Sequence, residues 1–165
     1  MEGRENGSIT TSPRNGTRDA AFPTYAIQAG RKDMPIRVLV VDDDEDFLWL
    51  IGLSLRGHDD IVVIGEAQEP ETGVALALQE QQLDIVVMDL MMPRINGFEA
   101  TRRIKRLRPD VKVLVVTSLF DDDATRQEMY RSGADAVLGK HNIATALVPT
   151  LRWLQKASAS SRGAA

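Results

Sequence analysis

The chain has 165 residues, of which 43% are hydrophobic and 27% charged, and it contains no cysteine. This composition is typical of a globular protein and excludes disulfides and thiolate metal sites. A formal net charge of −4 argues against a broad nucleic-acid-binding surface, so we expect no direct binding of nucleic acid. No apolar run reaches the roughly 18 residues of a membrane span, and the chain does not begin like a secretory signal, so we expect a cytoplasmic protein.

The two ends of the chain differ in composition from its centre. Residues 1–35 are rich in small and polar residues without apolar periodicity, which predicts a disordered N-terminal extension. Met34 is an alternative natural start, because it leads directly into the first apolar run. We expect one folded domain over residues 36–156 and a flexible C-terminal tail over residues 157–165.

Five apolar runs alternate with five amphipathic segments between these ends. The predicted strands cover residues 37–41, 61–65, 85–88, 111–116 and 134–138. The predicted helices cover residues 46–56, 71–81, 97–107, 122–131 and 143–155. This alternation predicts βαβ units with a parallel sheet, and strands that are apolar throughout are expected to be covered on both faces. Right-handed crossovers then give an α/β fold, a three-layer sandwich around a five-stranded parallel sheet.

Polar side chains follow four of the predicted strands. Asp42 and Asp43 follow the first strand, Asp89 the third, Thr117 the fourth and Lys140 the fifth. Ligands of open parallel sheets bind beyond the carboxyl ends of the strands. We therefore expect these five side chains to converge along one rim of the sheet.

This combination of residue types suits phosphoryl transfer. Neighbouring carboxylates resist joint ionisation, and a hard divalent cation such as Mg²⁺ relieves the repulsion. The ammonium of Lys140 and the hydroxyl of Thr117 suit phosphoryl oxygens, and together with a metal they stabilise the charge of a transferring phosphoryl group. A strand-end carboxylate can then act as the nucleophile and form an aspartyl phosphate.

The same residues carry a resemblance to a known family. Residues 36–155 resemble the receiver domain of two-component response regulators. The matching motifs are Val40-Val41-Asp42-Asp43, Met88-Asp89 with Pro93 and Gly97, Val116-Thr117, and Lys140. Further phrases, such as Ser132-Gly133-Ala134-Asp135-Ala136, are similar to receivers that usually precede a LuxR-type DNA-binding domain. The resemblance implies a flavodoxin-like (βα)5 fold with strand order 2-1-3-4-5.

The resemblance also implies a role for each acid. Asp89 would accept a phosphoryl group from a histidine kinase or a histidine phosphotransfer protein. Mg²⁺ would be held by Asp42, Asp43, Asp89 and the backbone carbonyl of Met91. Such a domain would catalyse only its own phosphorylation and dephosphorylation, so it would not be an enzyme in the ordinary sense.

Some of the remaining positions match the receiver family and others differ from it. Thr117 and Lys140 would contact phosphoryl oxygens, and phosphorylation would bias a surface formed by the fourth helix, fifth strand and fifth helix. Receivers usually carry Tyr or Phe three residues before the lysine, where this chain has Val137. Met91 and Leu119 stand at two positions that vary in the family. Because both are apolar, we predict slow self-dephosphorylation.

The same residues allow two other functions. A truncated DNA-binding transcription regulator would share the receiver chemistry and differ in output, and the 25 residues after Lys140 are too few for the usual DNA-binding domain. A phosphatase of the haloacid dehalogenase type would use Asp42 as nucleophile and Asp44 as acid or base. That family needs a further acidic pair after the lysine, whereas residues 140–165 contain no Asp or Glu, and Asp89 would have no role.

The first helix has a wider apolar surface than one core-facing stripe requires. We expect Phe47, Leu50 and Ile51 to face the core and Leu48 and Trp49 to be partly exposed. An exposed apolar pair suggests a contact with a kinase, a phosphotransfer protein or a second copy of the chain. The sequence does not indicate which downstream effector the protein would bind.

Overall fold

The computed structural model describes residues 34–93, 96–119 and 122–162, with side chains described as far as residue 158. The predicted extension over residues 1–35 lies almost wholly outside these ranges, and the predicted domain boundaries stay predictions. None of the helices in the described ranges combines the length and the apolar character needed to span a bilayer.

Five strands form one parallel sheet. Their bounds are Ile36–Val41 (β1), Ile61–Ala67 (β2), Ile85–Asp89 (β3), Lys112–Thr117 (β4) and Ala136–Gly139 (β5). The order across the sheet is β2-β1-β3-β4-β5, which confirms the expected topology. Every residue of the central strand β3 is buried, as expected for a strand that is apolar throughout.

Five helices connect and cover the strands. They are Glu45–Ser54 (α1), Pro70–Gln79 (α2), Gly97–Leu107 (α3), Asp123–Arg131 (α4) and Ile143–Arg162 (α5). One turn of 3₁₀ helix, Lys140–Asn142, joins β5 to α5. The side chains of Asp44, Asn96 and Asp122 accept backbone N–H groups at the starts of α1, α3 and α4, which fixes where these helices begin.

The sheet separates two apolar clusters. One lies between the sheet and the pair α1 and α5, and it contains Val40, Ile51 and Leu151. The other lies between the sheet and the helices α2, α3 and α4, and it contains Val86 and Ile104. This is the predicted three-layer α/β sandwich, and it leaves the ends of the strands free to carry polar groups.

One expectation about the surface of α1 was wrong. Leu48 is only 6% exposed and belongs to the cluster beneath α1, whereas Trp49 is 64% exposed as expected. α5 packs beside α1 and widens the buried face of that helix. The proposed apolar pair on α1 is therefore reduced to Trp49.

The last helix is longer than its sequence predicted. We expected it to end near Gln155 and to be followed by a flexible tail, but α5 continues to Arg162. Residues 156–162 lack apolar periodicity, so the sequence pattern does not indicate this last part of the helix.

Candidate functional site

The first acidic element of the site follows β1. Asp42 is 1% exposed, and its Oδ1 accepts a hydrogen bond from the backbone N–H of Asp44 at 3.0 Å. Asp43 is exposed at the rim. The Oδ1 of Asp44 accepts hydrogen bonds from the backbone N–H of Asp46 at 3.0 Å and of Phe47 at 3.3 Å. Asp44 is therefore the N-cap of α1. This structural role argues against a phosphatase of the haloacid dehalogenase type, in which Asp44 would be the acid or base.

The second acidic element is Asp89, the last residue of β3, which is 3% exposed. Its Oδ2 accepts a hydrogen bond from the backbone N–H of Met91 at 3.1 Å, so the turn after the strand holds the carboxylate in a fixed orientation. The Met91 side chain is exposed. α3 begins directly against this turn, with the Gly97 N–H donating to the Leu90 carbonyl at 3.2 Å.

The basic element is Lys140, which follows β5. Its Nζ lies 2.6 Å from Asp42 Oδ2 and 3.5 Å from Asp89 Oδ1. Both oxygens are buried, and neither accepts a hydrogen bond of regular geometry from the described residues. Lys140 is therefore an ion-pair partner of two buried carboxylates at once.

Thr117 ends β4, the strand beside β3. It is buried, and its Oγ1 accepts a hydrogen bond from the Leu119 N–H at 3.1 Å. In the sheet register Asp89 pairs with Val116, the residue before Thr117. The strands therefore place Thr117 at the same rim as Asp89, while the measured contacts join Lys140 to Asp42 and Asp89.

The electrostatics of the site reflect charges that are crowded together and withdrawn from water. Burial, reinforced by the charge of Asp42, raises the pKa of Asp89 to about 6. Burial also raises the pKa of Asp42, although the contact with Lys140 opposes the change. Burial alone would lower the pKa of Lys140, but its contact with Asp42 and the charge of Asp89 raise that pKa overall.

The donor set fits a hard divalent cation. Asp42, Asp43 and Asp89 each offer a carboxylate oxygen, and these three oxygens lie within 4.8 Å of one another. Two of the three acids, Asp42 and Asp89, are almost fully buried, where a carboxylate needs positive partners. Oxygen ligands with net negative charge are what Mg²⁺ and similar ions prefer. The cluster can therefore hold such a cation.

One neighbour of the site was not predicted. The Phe47 ring lies beneath the Lys140 ammonium, which is 4.2 Å from the ring centroid. The sequence marked Phe47 only as a core residue of α1. Its contact with Lys140 joins residues that are far apart in the chain, and no local pattern in either segment indicates it.

Comparison with known families decides what kind of domain this is. The sequence profile of the response regulator receiver domain matches residues 38–152. The chain belongs to the response regulator receiver family. Receiver domains are signalling domains and not enzymes of the ordinary kind, and the predicted resemblance is confirmed.

Curated relatives of this receiver are full-length regulators. The transcriptional regulatory protein LiaR of Bacillus subtilis (strain 168) is 38% identical over 121 residues, which cover 73% of this chain and 56% of LiaR. The response regulator protein VraR of Staphylococcus aureus (strain NCTC 8325 / PS 47) is 37% identical over 124 residues, with 72% and 56% covered. The chain spans about half the length of the curated relatives it matches.

Solved receiver structures share the fold. The response regulator domain of CheB from Thermotoga maritima has a TM-score of 0.68 and 28% identity, with 74% of this chain and 97% of that chain covered. This chain is therefore similar to receiver domains in both sequence and fold.

Proposed function

We propose that this receiver takes a phosphoryl group onto Asp89 from the phosphohistidine of a histidine kinase or of a histidine phosphotransfer protein. The observation that carries the proposal is the convergence of Asp42, Asp43 and Asp89 within 4.8 Å, with the Lys140 ammonium between two of them. Carboxylates this close repel one another, and a bound cation relieves that repulsion.

The roles of the individual groups follow from their contacts. The N–H of Met91 holds Oδ2 of Asp89, and Oδ1 faces Lys140 as the attacking oxygen. A bond forms between Oδ1 and phosphorus as the donor's phosphorus–nitrogen bond breaks, and the imidazole keeps the electron pair. Lys140 and the Thr117 hydroxyl bind phosphoryl oxygens.

A divalent cation such as Mg²⁺ would supply charge that offsets the phosphoryl group and the acids. Asp42, Asp43, Asp89 and the backbone carbonyl of Met91 would hold it. The described carboxylates meet the charge and donor requirements of such an ion.

Mass spectrometry after incubation with acetyl phosphate and Mg²⁺ tests the proposal. We expect wild type to gain one hydroxylamine-labile phosphoryl group and Asp89→Asn to gain none. Asp44→Asn is the matched control, because Asp44 caps α1 and asparagine also caps helices, so this variant should be phosphorylated like wild type. Equal labelling of Asp89→Asn would refute the assignment of the acceptor.

We further predict that the phosphorylated form hydrolyses slowly. Met91 and Leu119 both expose apolar side chains on the loops after Asp89 and Thr117, so neither side chain can orient an attacking water by hydrogen bonding. Met91→Asn supplies an amide there and should shorten the half-life of the phosphorylated form about tenfold, which is less than the effect of a side chain that itself takes the proton. Equal half-lives for the two proteins would contradict the prediction.

A second candidate function is that of the receiver part of a DNA-binding transcription regulator. LiaR is named a transcriptional regulatory protein, and this chain aligns with 56% of its length. A receiver attached to a DNA-binding domain would share all of the chemistry above. Reading the gene beyond codon 165 distinguishes the two, since a continuing open frame with a DNA-binding domain favours this candidate.

A further inference from the structure

The Lys140 ammonium has a neighbour that the proposed chemistry does not use. The Phe47 ring centroid lies 4.2 Å from Nζ. A cation within about 6 Å of a ring centroid and above its face is attracted by the negative face of the ring. The ammonium is thus bounded by the carboxylates of Asp42 and Asp89 and by an aromatic face.

The ring itself is held firmly. The Phe47 backbone N–H donates to the Asp44 carbonyl at 3.1 Å, in the first turn of α1, and its side chain is 7% exposed. The ring packs into the cluster beneath α1, beside residues of β1 and α5. Phe47 therefore offers Lys140 a surface of fixed position, anchored by a capped helix on one side and the core on the other.

Lys140 needs such a surface. Its side chain has a long flexible stem, and freezing that stem costs conformational entropy. The two carboxylates attract Nζ unequally, at 2.6 Å for Asp42 Oδ2 and 3.5 Å for Asp89 Oδ1. A third attractive neighbour at a fixed position restricts where the ammonium can lie relative to Asp89.

We propose that Phe47 is a positioning residue, whose aromatic face holds the Lys140 ammonium beside Asp89 in readiness for a phosphoryl oxygen. This rests on the proposed role of Asp89 as phosphoryl acceptor. The contribution comes from the electrons of the ring, and it is distinct from the volume that Phe47 fills in the core.

The plain alternative is that Phe47 only fills space, since its neighbours in the cluster are aliphatic. A test must therefore change the ring's electrons while keeping its shape. Phenylalanine analogues with one, two and three ring fluorines do this, because each fluorine withdraws electron density from the ring face. Site-specific incorporation at position 47 gives a graded series.

The first measurement is the rate of Asp89 phosphorylation by acetyl phosphate with saturating Mg²⁺. We expect the rate to fall stepwise with the number of fluorines, reaching about a fivefold loss with three, the size of a partly desolvated cation–π contact. Phe47→Leu should lose about as much. Trifluorophenylalanine at Phe98, which packs against the opposite cluster, is the matched control and should leave the rate unchanged.

The second measurement does not depend on phosphoryl transfer. A cation stem above a ring face experiences its ring current, so the Lys140 ε-methylene protons should resonate upfield in wild type. Phe47→Leu should abolish that shift. An unshifted wild-type resonance would place the ammonium away from the ring and overturn the proposal.

The outcomes separate this inference from the function on which it rests. If wild type is phosphorylated and the fluorine series is flat, or falls equally whatever the number of fluorines, Phe47 is only a packing residue. If wild type takes up no phosphoryl group at Asp89, the proposed function fails, and the positioning role fails with it.

Discussion

Gly97 shows how closely a single residue is tied to the site. It is the first residue of α3, and a Cβ there would overlap the carbonyl oxygen of Asp89 and lie 2.9 Å from Leu90 Cα. Both are backbone atoms of the turn that follows β3, so neither can move aside cheaply. The absence of a side chain at Gly97 therefore lets α3 start directly against the strand that presents Asp89.

We predict that Gly97→Ala destabilises the domain by about 2 kcal/mol, the usual cost of overpacking a tight site. The intrinsic preference of helices for alanine acts in the opposite direction and is smaller. Urea unfolding measures the change.

Gly52→Ala is the control for Gly97→Ala. Gly52 lies inside α1, and a Cβ there would have no neighbour within 4 Å, so this change should stabilise the domain by about 0.5–1 kcal/mol. If the Gly97→Ala variant is as stable as the Gly52→Ala variant, α3 does not approach the backbone of Asp89 and Leu90 as closely as described.

At the scale of elements, one carboxylate ties together α3, β4 and the start of β5. Asp135 Oδ2 accepts from Lys105 Nζ on α3 at 2.9 Å and from the Val113 N–H on β4 at 2.9 Å. Its Oδ1 accepts from Lys112 Nζ at 3.0 Å. Burial would raise the pKa of Asp135, but the contacts with Lys105, Val113 and Lys112 outweigh it and hold that pKa below its usual value.

The lowered pKa sets the sign of a pH-dependent prediction. The Asp135 carboxylate stabilises the fold at every pH above its ordinary unfolded pKa, and this contribution is lost as the pH falls through the lower folded value. Asp135→Asn should therefore cost about 2 kcal/mol at neutral pH, the scale of hydrogen bonds to a charged group. The difference from wild type should shrink below pH 4.

Unfolding midpoints across acidic and neutral pH measure this effect of Asp135→Asn. Asp59→Asn is the control, because Asp59 is exposed and its replacement should change stability by about 0.5 kcal/mol or less. A gap between wild type and Asp135→Asn that stays constant down to pH 2 would contradict the assignment.

For the whole molecule, the sequence predicted those features that depend on the local pattern of apolar and polar residues. Apolar runs such as Ile85–Met88 can be satisfied only by burial on both faces, which indicated a covered parallel sheet. The alignment of Asp42, Asp89 and Lys140 at strand ends then follows from topology, and the structure brings their side chains into contact.

The features that were missed depend on contacts between distant segments. Leu48 is buried because α5 packs beside α1, which the pattern of α1 alone cannot show. The contact of Phe47 with Lys140 joins segments far apart in the chain, so only the folded structure indicates it.

The site as a whole costs stability, and this gives a last prediction. Because the fold raises the pKa of Asp89 to about 6, the native state binds a proton there more tightly than the unfolded chain does. Stability must then fall as pH rises from about 4 through 6, and the cost is fully present at pH 7. In EDTA, Asp89→Asn should therefore be more stable than wild type at pH 7, by up to about 3 kcal/mol.

The two proteins should converge near pH 4, and Mg²⁺ should reverse the order. Asp89→Asn keeps the Lys140 contact with Asp42, so the change removes a repelled charge without exposing a new one. A cation that binds only the native wild type adds stability with concentration, about 2.7 kcal/mol at one hundred times its Kd, and loses one ligand in the variant. Sodium chloride at matched ionic strength controls for screening. If it stabilises wild type as well as Mg²⁺ does, the three acids act as a repulsive surface and hold no divalent ion.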